Sequence, residues 1–266
     1  MRPNRLREIW AEGGAAVTGW LSVDSPFIAE LLAHLPFDCL TLDMQHGLID
    51  YQSAVQMLQA ISTTEMTPTA RIPWNDPAII MKMLDAGIYG LICPMVNSKE
   101  EAEAFVGACR YPPKGYRSFG PRRATVYAGE DYPEYANETV VTMAMIETAD
   151  AVKNLEDILS VGELDAIYVG PADLSLSLTN QRSFDYTDPE LMAVLDHILV
   201  TAQKFGTPAG IHTGSPAFAN QMIEKGFQFV AIQNETAYMV SEAKRVLSEV
   251  GRTGAPAPSR PSGPYG

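Results

Sequence analysis

Positive charge is scarce in this chain. Its 266 residues include 19 lysines and arginines against 32 aspartates and glutamates, a formal net charge of −13. A surface of that sign repels phosphate backbones and anionic headgroups, so neither nucleic acid nor a membrane is an expected partner. An anionic substrate must therefore be drawn in by a local cluster of positive groups. Cysteine is scarcer still. Cys39, Cys93 and Cys109 are odd in number and far apart, and two lie in apolar runs. They read as small core residues in a reducing cytosol, not as disulfides or a zinc site. No apolar run is long enough to span a bilayer. The opening Met1-Arg2-Pro3-Asn4-Arg5-Leu6-Arg7 lacks the apolar segment of a signal peptide. The expected location is the cytoplasm.

Other signatures are missing too. No Gly-x-Gly-x-x-Gly or Gly-x-x-x-x-Gly-Lys-Ser/Thr follows the first strand-like run, which removes the usual nucleotide-binding loops. There is no Gly-x-Ser-x-Gly elbow, and no cysteine has an obvious histidine partner. What is present is core material: 46% of residues are apolar and only 19% charged, which argues against disorder. The length suits one α/β barrel. Residues 1–250 are read as a single domain and 251–266 as an extended Pro/Gly/Ser-rich tail.

Eight β-branched or aromatic runs alternate with helical patterns: 16–23, 37–44, 67–74, 90–96, 139–146, 165–170, 208–212 and 228–233. Helix starts are marked by Asp24-Ser25-Pro26, Asn75-Asp76-Pro77, Asn97-Ser98, Asp188-Pro189 and Ser215-Pro216. Gly87, Gly162, Gly206 and Gly226 mark helix ends as left-handed caps. Eight such units specify a (β/α)8 TIM barrel better than an open sheet. One connection is long, from Arg110 to Glu138, and is read as a lid or an interface element.

In such a barrel, chemistry collects at the carboxyl ends of the strands. Those ends carry Trp20, Asp43-Met44-Gln45-His46-Gly47, Arg71, Glu147, Asp173 in Gly170-Pro171-Ala172-Asp173-Leu174-Ser175, His212 and Asn234. Singly, each has a plain alternative. Asp173 and Glu147 would serve as helix caps, Arg71 as an ion-pair partner of either acid, and His46 as a satisfied structural histidine. Their convergence on one mouth favours function. Two acids facing one mouth repel unless a cation or a shared proton lies between them, and a divalent metal is the simplest answer. The lysines at 82, 99, 114, 153, 204, 225 and 244 all fall in helical or loop segments, so a Schiff base lacks its amine. Oxygen donors suit Mg²⁺, Mn²⁺ or Co²⁺, acting as a Lewis acid on a 2-oxo acid, with arginine at the developing oxyanion. The amides of Ala172 and Asp173, entering a helix, suit the substrate carboxylate.

Together these residues resemble the HpcH/HpaI aldolases, metal-dependent (class II) pyruvate aldolases. The likeness runs from Trp20 to the helix before Gly251. It rests on Asp43-x-x-His46-Gly47, Ala70-Arg71-Ile72-Pro73, Leu84-Asp85-Ala86-Gly87 and Pro94-Met95-Val96. It continues with Arg110-Tyr111-Pro112-Pro113-x-Gly115-x-Arg117, Ile146-Glu147-Thr148 and Gly170-Pro171-Ala172-Asp173. The resemblance implies a barrel of the phosphoenolpyruvate/pyruvate-binding type, assembled as a homo-hexamer (a trimer of dimers). It implies a metal held by Glu147 and Asp173, Arg71 on the keto oxygen, and His46 working with a metal-bound water. Asp85, from a neighbouring subunit, would orient His46. The substrate wall would include Trp20, Gly170, Pro171, Ala172 and His212. Three positions depart from the family pattern: Gln45 stands where many members have glutamate, Met145 where glutamine is known, and His212 at a commonly apolar position. These bear on specificity more than on reaction type.

The expected activity is reversible cleavage of 4-hydroxy-2-oxo acids to pyruvate, or hydroxypyruvate, and an aldehyde. Alternatives are an enolate lyase acting on an acyl-CoA ester or decarboxylating oxaloacetate, and a non-catalytic oxo-acid-binding barrel. A CoA lyase should offer a basic patch for the nucleotide phosphates; Arg117, Arg122 and Arg123 could form one, but they are read rather as part of a subunit interface.

Overall fold

Short apolar stretches separated by capped helices leave one economical solution, strands side by side in a ring with helices outside. The computed structural model describes residues 1–252 and has this arrangement. In chain order the elements are α1 (Arg5–Ala11), β1 (Ala16–Leu21), α2 (Pro26–Ala33), β2 (Cys39–Asp43), α3 (Tyr51–Ile61), β3 (Thr67–Arg71) and α4 (Pro77–Asp85). There follow β4 (Gly90–Cys93), α5 (Lys99–Cys109), α6 (Arg122–Ala128), α7 (Tyr132–Thr139), β5 (Val141–Ile146), α8 (Ala149–Lys153) and α9 (Leu155–Leu159). Last come β6 (Ala166–Val169), α10 (Pro171–Thr179), α11 (Pro189–Lys204), β7 (Ala209–Thr213), α12 (Pro216–Lys225), β8 (Phe229–Ile232) and α13 (Glu235–Glu249). The eight strands pair in parallel, in sequence order, and β1 closes on β8. The expected tail lies outside the described residues from Thr253 onward.

Five of the anticipated helix starts are capped as the sequence indicates. Ser25, Asp76, Ser98, Asp188 and Ser215 each accept a first-turn N–H through the side chain. Of the expected left-handed exits, Gly87, Gly206 and Gly226 have positive φ, whereas Gly162 does not. Helix α9 has already ended at Leu159 with Ser160 in the right-handed region, so Gly162 is a plain turn residue. The fifth strand begins at Val141 rather than Thr139, because Thr139 closes α7.

Inside the ring, alternate residues of each strand point to the axis. Thr18, Thr41 and Thr69 satisfy one another there through hydroxyl contacts of 2.8 and 2.7 Å. Below them Leu6 and Ile9 of α1 plug the amino end against Ala16, Cys39, Val141 and Phe229. All three cysteines are buried and unpaired. Burial pushes the Cys39 and Cys109 thiols up to about 12, so they pack as neutral groups, as expected.

The long connection is not a lid. It follows α5 and precedes β5, so it lies at the amino end of the barrel, opposite the mouth. There α6 and α7 pack Tyr127 and Tyr132 with Tyr89 and Tyr111, and the N-terminus binds Asp131 at 2.8 Å. The Arg110–Arg117 motif is structural in this setting. Arg110 bonds Asp165 at 2.6 Å, and Arg117, 2% exposed, bonds Asp85 at 2.8 Å and the Tyr132 hydroxyl at 3.0 Å. Arg123 is tied to the carbonyls of Ala86 and Leu58. Arg117 and Arg123 are thus committed at the far end from the mouth. Of the three arginines that the acyl-CoA reading would use, Arg122 alone is exposed, beside the second cavity at this end.

Among the described residues no helix is long and apolar enough to cross a membrane.

Candidate active site

The carboxyl ends of the strands surround a cavity of about 510 Å³. Trp20, Asp43, His46, Arg71, Asp173, His212 and Asn234 line it, as do Gly170, Pro171 and Ala172. All these positions were expected from the sequence except Asp43 as a wall residue in its own right. Ser22, Tyr168, Leu176, Arg182 and Phe184 were not singled out beforehand, and Met145 only as a departure from the family pattern.

Register fixes the first pair. Asp43 and Arg71 are aligned partners on adjacent strands, so the two side chains meet over the axis. The guanidinium grips the carboxylate by two bonds, Nε to Oδ1 at 3.0 Å and Nη2 to Oδ2 at 2.6 Å. Burial alone acts to raise the Asp43 carboxyl. The charge and hydrogen bonds of Arg71 outweigh it, with help from the His46 N–H and Trp20 Nε1, and hold it below the ordinary range. Asp43 Oδ1 also accepts the backbone N–H groups of Gln45 and His46, at 3.1 and 3.2 Å, which shapes the turn that presents His46. The ring of Trp20 lies 5.1 Å from the Arg71 guanidinium carbon. Arg71 is thus the ion-pair partner of Asp43, with its cationic face directed at the cavity wall.

Glu147 sits across the ring, just past β5, and is 1% exposed. Its Oε1 accepts the Met95 N–H at 2.7 Å. Met95 turns its N–H inward with a left-handed backbone, φ 56°, which is rare for this residue type. Nothing in the sequence signals that conformation. Burial chiefly, then the negative charge of Asp173, push the Glu147 carboxyl up to about 7, although the Met95 N–H and Arg71 oppose this. Gly170 makes room, since a β-carbon there would lie 2.7 Å from Glu147 Oε2. Asp173 projects from the first turn of α10, which begins at Pro171 with no capping side chain.

The Glu147–Asp173 pair is suited to a divalent cation. A buried carboxyl with one amide partner, burdened by a second acid, gains most from a positive charge. Among the described residues no group of three or more His, Cys, Asp or Glu side chains forms a closed metal cage. A cation held here would keep positions open for water and substrate, as hard cations at catalytic sites do.

Asp85 does not join this cluster within its own chain. It ends α4 at the opposite end of the barrel, bonded to Arg117, beside a second cavity of about 240 Å³ lined by Tyr51, Lys82 and Arg123. His46 is exposed at the mouth. His212 does join the cavity wall, and its Nδ1 lies 3.2 Å from the buried Tyr168 hydroxyl.

Residues 17–241 match the family model described as HpcH/HpaI aldolase/citrate lyase. A hydroxypyruvate/pyruvate aldolase from Rhizorhabdus wittichii is 41% identical over 246 residues, 92% of this chain and 98% of that protein. A 4-hydroxy-2-oxo-heptane-1,7-dioate aldolase from Salmonella typhimurium is 33% identical over 251 residues, 93% of this chain and 95% of that protein. Among solved structures, an HpcH/HpaI aldolase/citrate lyase family protein from Burkholderia cenocepacia superposes with a TM-score of 0.87 at 28% identity. That match covers 93% of this chain and 99% of the other.

Proposed function

The chain belongs to the HpcH/HpaI aldolase/citrate lyase family, and we propose that it is a divalent-metal-dependent aldolase. It reversibly splits 4-hydroxy-2-oxo acids into pyruvate, or hydroxypyruvate, and an aldehyde. One observation carries this reading: a buried Glu147 carboxyl, raised by burial and by Asp173, packs directly behind Gly170 of a strand-end cavity whose wall holds Asp173 and an arginine fixed by Asp43. The names of the relatives, both aldolases, support the same chemistry.

Glu147 and Asp173 would hold Mg²⁺, Mn²⁺ or Co²⁺, and the bound cation would supply Lewis acidity toward the oxo acid. Arg71, immobilised by its fork with Asp43, stabilises negative charge as it develops on the substrate oxygen. The first turn of α10 offers Ala172 and Asp173 amides to the substrate carboxylate. His46, presented by the turn that Asp43 caps, moves the proton. In the synthetic direction it takes one from the carbon next to the carbonyl and returns one to the aldehyde oxygen, work worth about 10²–10⁴-fold. Asp85 of the partner subunit orients that imidazole, which requires an oligomer, and the family resemblance indicates a hexamer. Exposed apolar residues support such an assembly. Phe27 and Leu31 lie open on one side of α2 with Leu35 just beyond its end, and Met239, Val246 and Val250 lie open on or just beyond α13.

Pyruvate release from 4-hydroxy-2-oxo acids, measured after exhaustive chelation and after adding back each cation, tests the reading. Activity should vanish on chelation and in Glu147→Ala, and return with metal only in the unaltered protein. Full activity without metal overturns it. A covalent adduct trapped by borohydride with pyruvate would move the reaction to a Schiff base.

A further inference from the structure

The wall formed by β6, β7 and β1 holds a group that the proposed chemistry does not use. Tyr168, fully buried, stacks on Trp20 with ring centroids 5.9 Å apart and planes 11° apart. His212 meets the same indole edge-on, with centroids 4.9 Å apart at 84°. The Tyr168 hydroxyl lies 3.2 Å from His212 Nδ1. The imidazole is therefore fixed from two sides while it lines the cavity.

Its protonation follows from its surroundings. Burial first, and then the charge of Arg71, push His212 down to about 4, while burial holds the Tyr168 hydroxyl well above its ordinary value. Both are neutral at physiological pH, and a neutral imidazole has one donor and one acceptor nitrogen. Among the described residues the Tyr168 hydroxyl has only His212 as hydrogen-bond partner, so its proton lies on the bond to Nδ1. The ring hydrogen is then on Nε2, which finds no protein acceptor among the described residues.

We propose that His212 is a specificity-determining residue whose Nε2–H donates to a hydroxyl group of the substrate, so that hydroxylated substrates are favoured over their deoxy counterparts. Arg71 already answers charged and charge-developing oxygens, and a fixed neutral donor in an aromatic wall suits a neutral acceptor. A substrate without the hydroxyl leaves this N–H facing carbon, and an unmet polar group is where discrimination is largest. Two sources have the same chemistry, the C3 hydroxyl of a hydroxylated oxo acid and the C2 hydroxyl of a hydroxyaldehyde. The inference rests on the aldolase reading.

The test compares kcat/KM for two pairs, hydroxypyruvate against pyruvate with one aldehyde, and glycolaldehyde against acetaldehyde with one oxo acid. Wild type, His212→Phe and Tyr168→Phe are measured with metal bound. In His212→Phe the hydroxy-to-deoxy ratio of one pair should fall about tenfold. A fall in the first pair puts the hydroxyl on the nucleophile, and a fall in the second puts it on the aldehyde. Tyr168→Phe, which keeps the ring, should lower the same ratio by a smaller factor and mix the imidazole tautomers by ¹⁵N NMR. That readout survives if His212→Phe does not fold. Wild-type turnover with both ratios unmoved in both variants overturns the inference and leaves the aldolase reading standing. No wild-type turnover on any pair overturns both.

Discussion

Glu147 Oε2 occupies the space that a side chain at position 170 would need, because a β-carbon on Gly170 would come within 2.7 Å of it. Met145 closes the same gap, with its Cε also 2.7 Å from that point. Contacts that short force a shift, and the carboxylate, anchored on its other side by the Met95 N–H, has little freedom to move. Gly170→Ala should leave a folded barrel but turn the Glu147 oxygen away from Asp173. Mn²⁺ affinity by titration calorimetry, and activity with it, should drop about 10–100-fold. Wild-type affinity in this variant would show that the carboxylate position is immaterial.

The raised Glu147 carboxyl makes metal binding a titration. In the metal-free protein this acid is protonated up to about pH 7, against 4.5 for an ordinary glutamate. Between those values the folded state binds more protons than the unfolded one, so the acid's contribution to stability falls as pH rises. At pH 8 metal-free Glu147→Gln should therefore be more stable than wild type, by at most roughly 3 kcal/mol. A cation binds the ionised form, so wild-type Mn²⁺ affinity should rise between pH 6 and pH 8 with release of about one proton. Affinity that is flat across that range would count against Glu147 as a ligand.

Much of this site was legible before any coordinates. Strand tips are read by the alternation of inward residues, and Glu147, Arg71 and His212 fall on that pattern, whereas Asp173 stands in the first turn of the helix after β6 and is marked by its Gly-Pro turn. Glu147 and Asp173 are the acids the sequence offers Arg71 as ion-pair partners, and the structure pairs it with neither, because strand register puts Asp43 opposite it. Tyr168 was hidden in an apolar run, and its inward direction follows from Gly170 two residues on, also inward. The left-handed turn at Met95 has no propensity signal, since tertiary contacts impose it. The long Arg110–Glu138 connection was misjudged as a possible lid. Its place after a helix and before a strand already put it at the amino end.

Breaking the Asp43–Arg71 fork should damage fold and catalysis together. Arg71 is largely buried, with its side chain 12% exposed, and Asp43 is 5% exposed at the side chain, so removing one charge leaves the other uncompensated. Asp43→Asn should lower stability by about 3 kcal/mol in urea denaturation. With the guanidinium no longer oriented and the His46 turn loosened, kcat/KM should drop about 10²-fold even at saturating metal. Arg71→Lys keeps the charge but cannot form the fork, and should lose activity to a similar extent. A variant of Asp43 as stable as wild type would mean that the pair is not buried in solution.

His212 gives the chain an acid-sensitive element away from Glu147 and Asp173. Burial holds its imidazole at about 4, whereas the unfolded chain takes up that proton near 6.5. The unfolded state thus binds more protons between those values, and stability falls as pH falls from 6.5 toward 4. Full protonation of the buried ring costs at most roughly 3 kcal/mol. Tyr168 and Trp20 pack against the ring, Arg71 stands nearby with like charge, and Asp43 and Asp185 offset part of that charge. His212→Phe keeps an aromatic plane against Trp20 but has nothing to protonate. The loss of melting temperature between pH 7.5 and pH 5 should therefore be smaller in His212→Phe than in wild type, whatever the absolute stability of the variant. Thermal scans of both proteins across that range decide it, and parallel curves would show that the imidazole is hydrated and titrates normally.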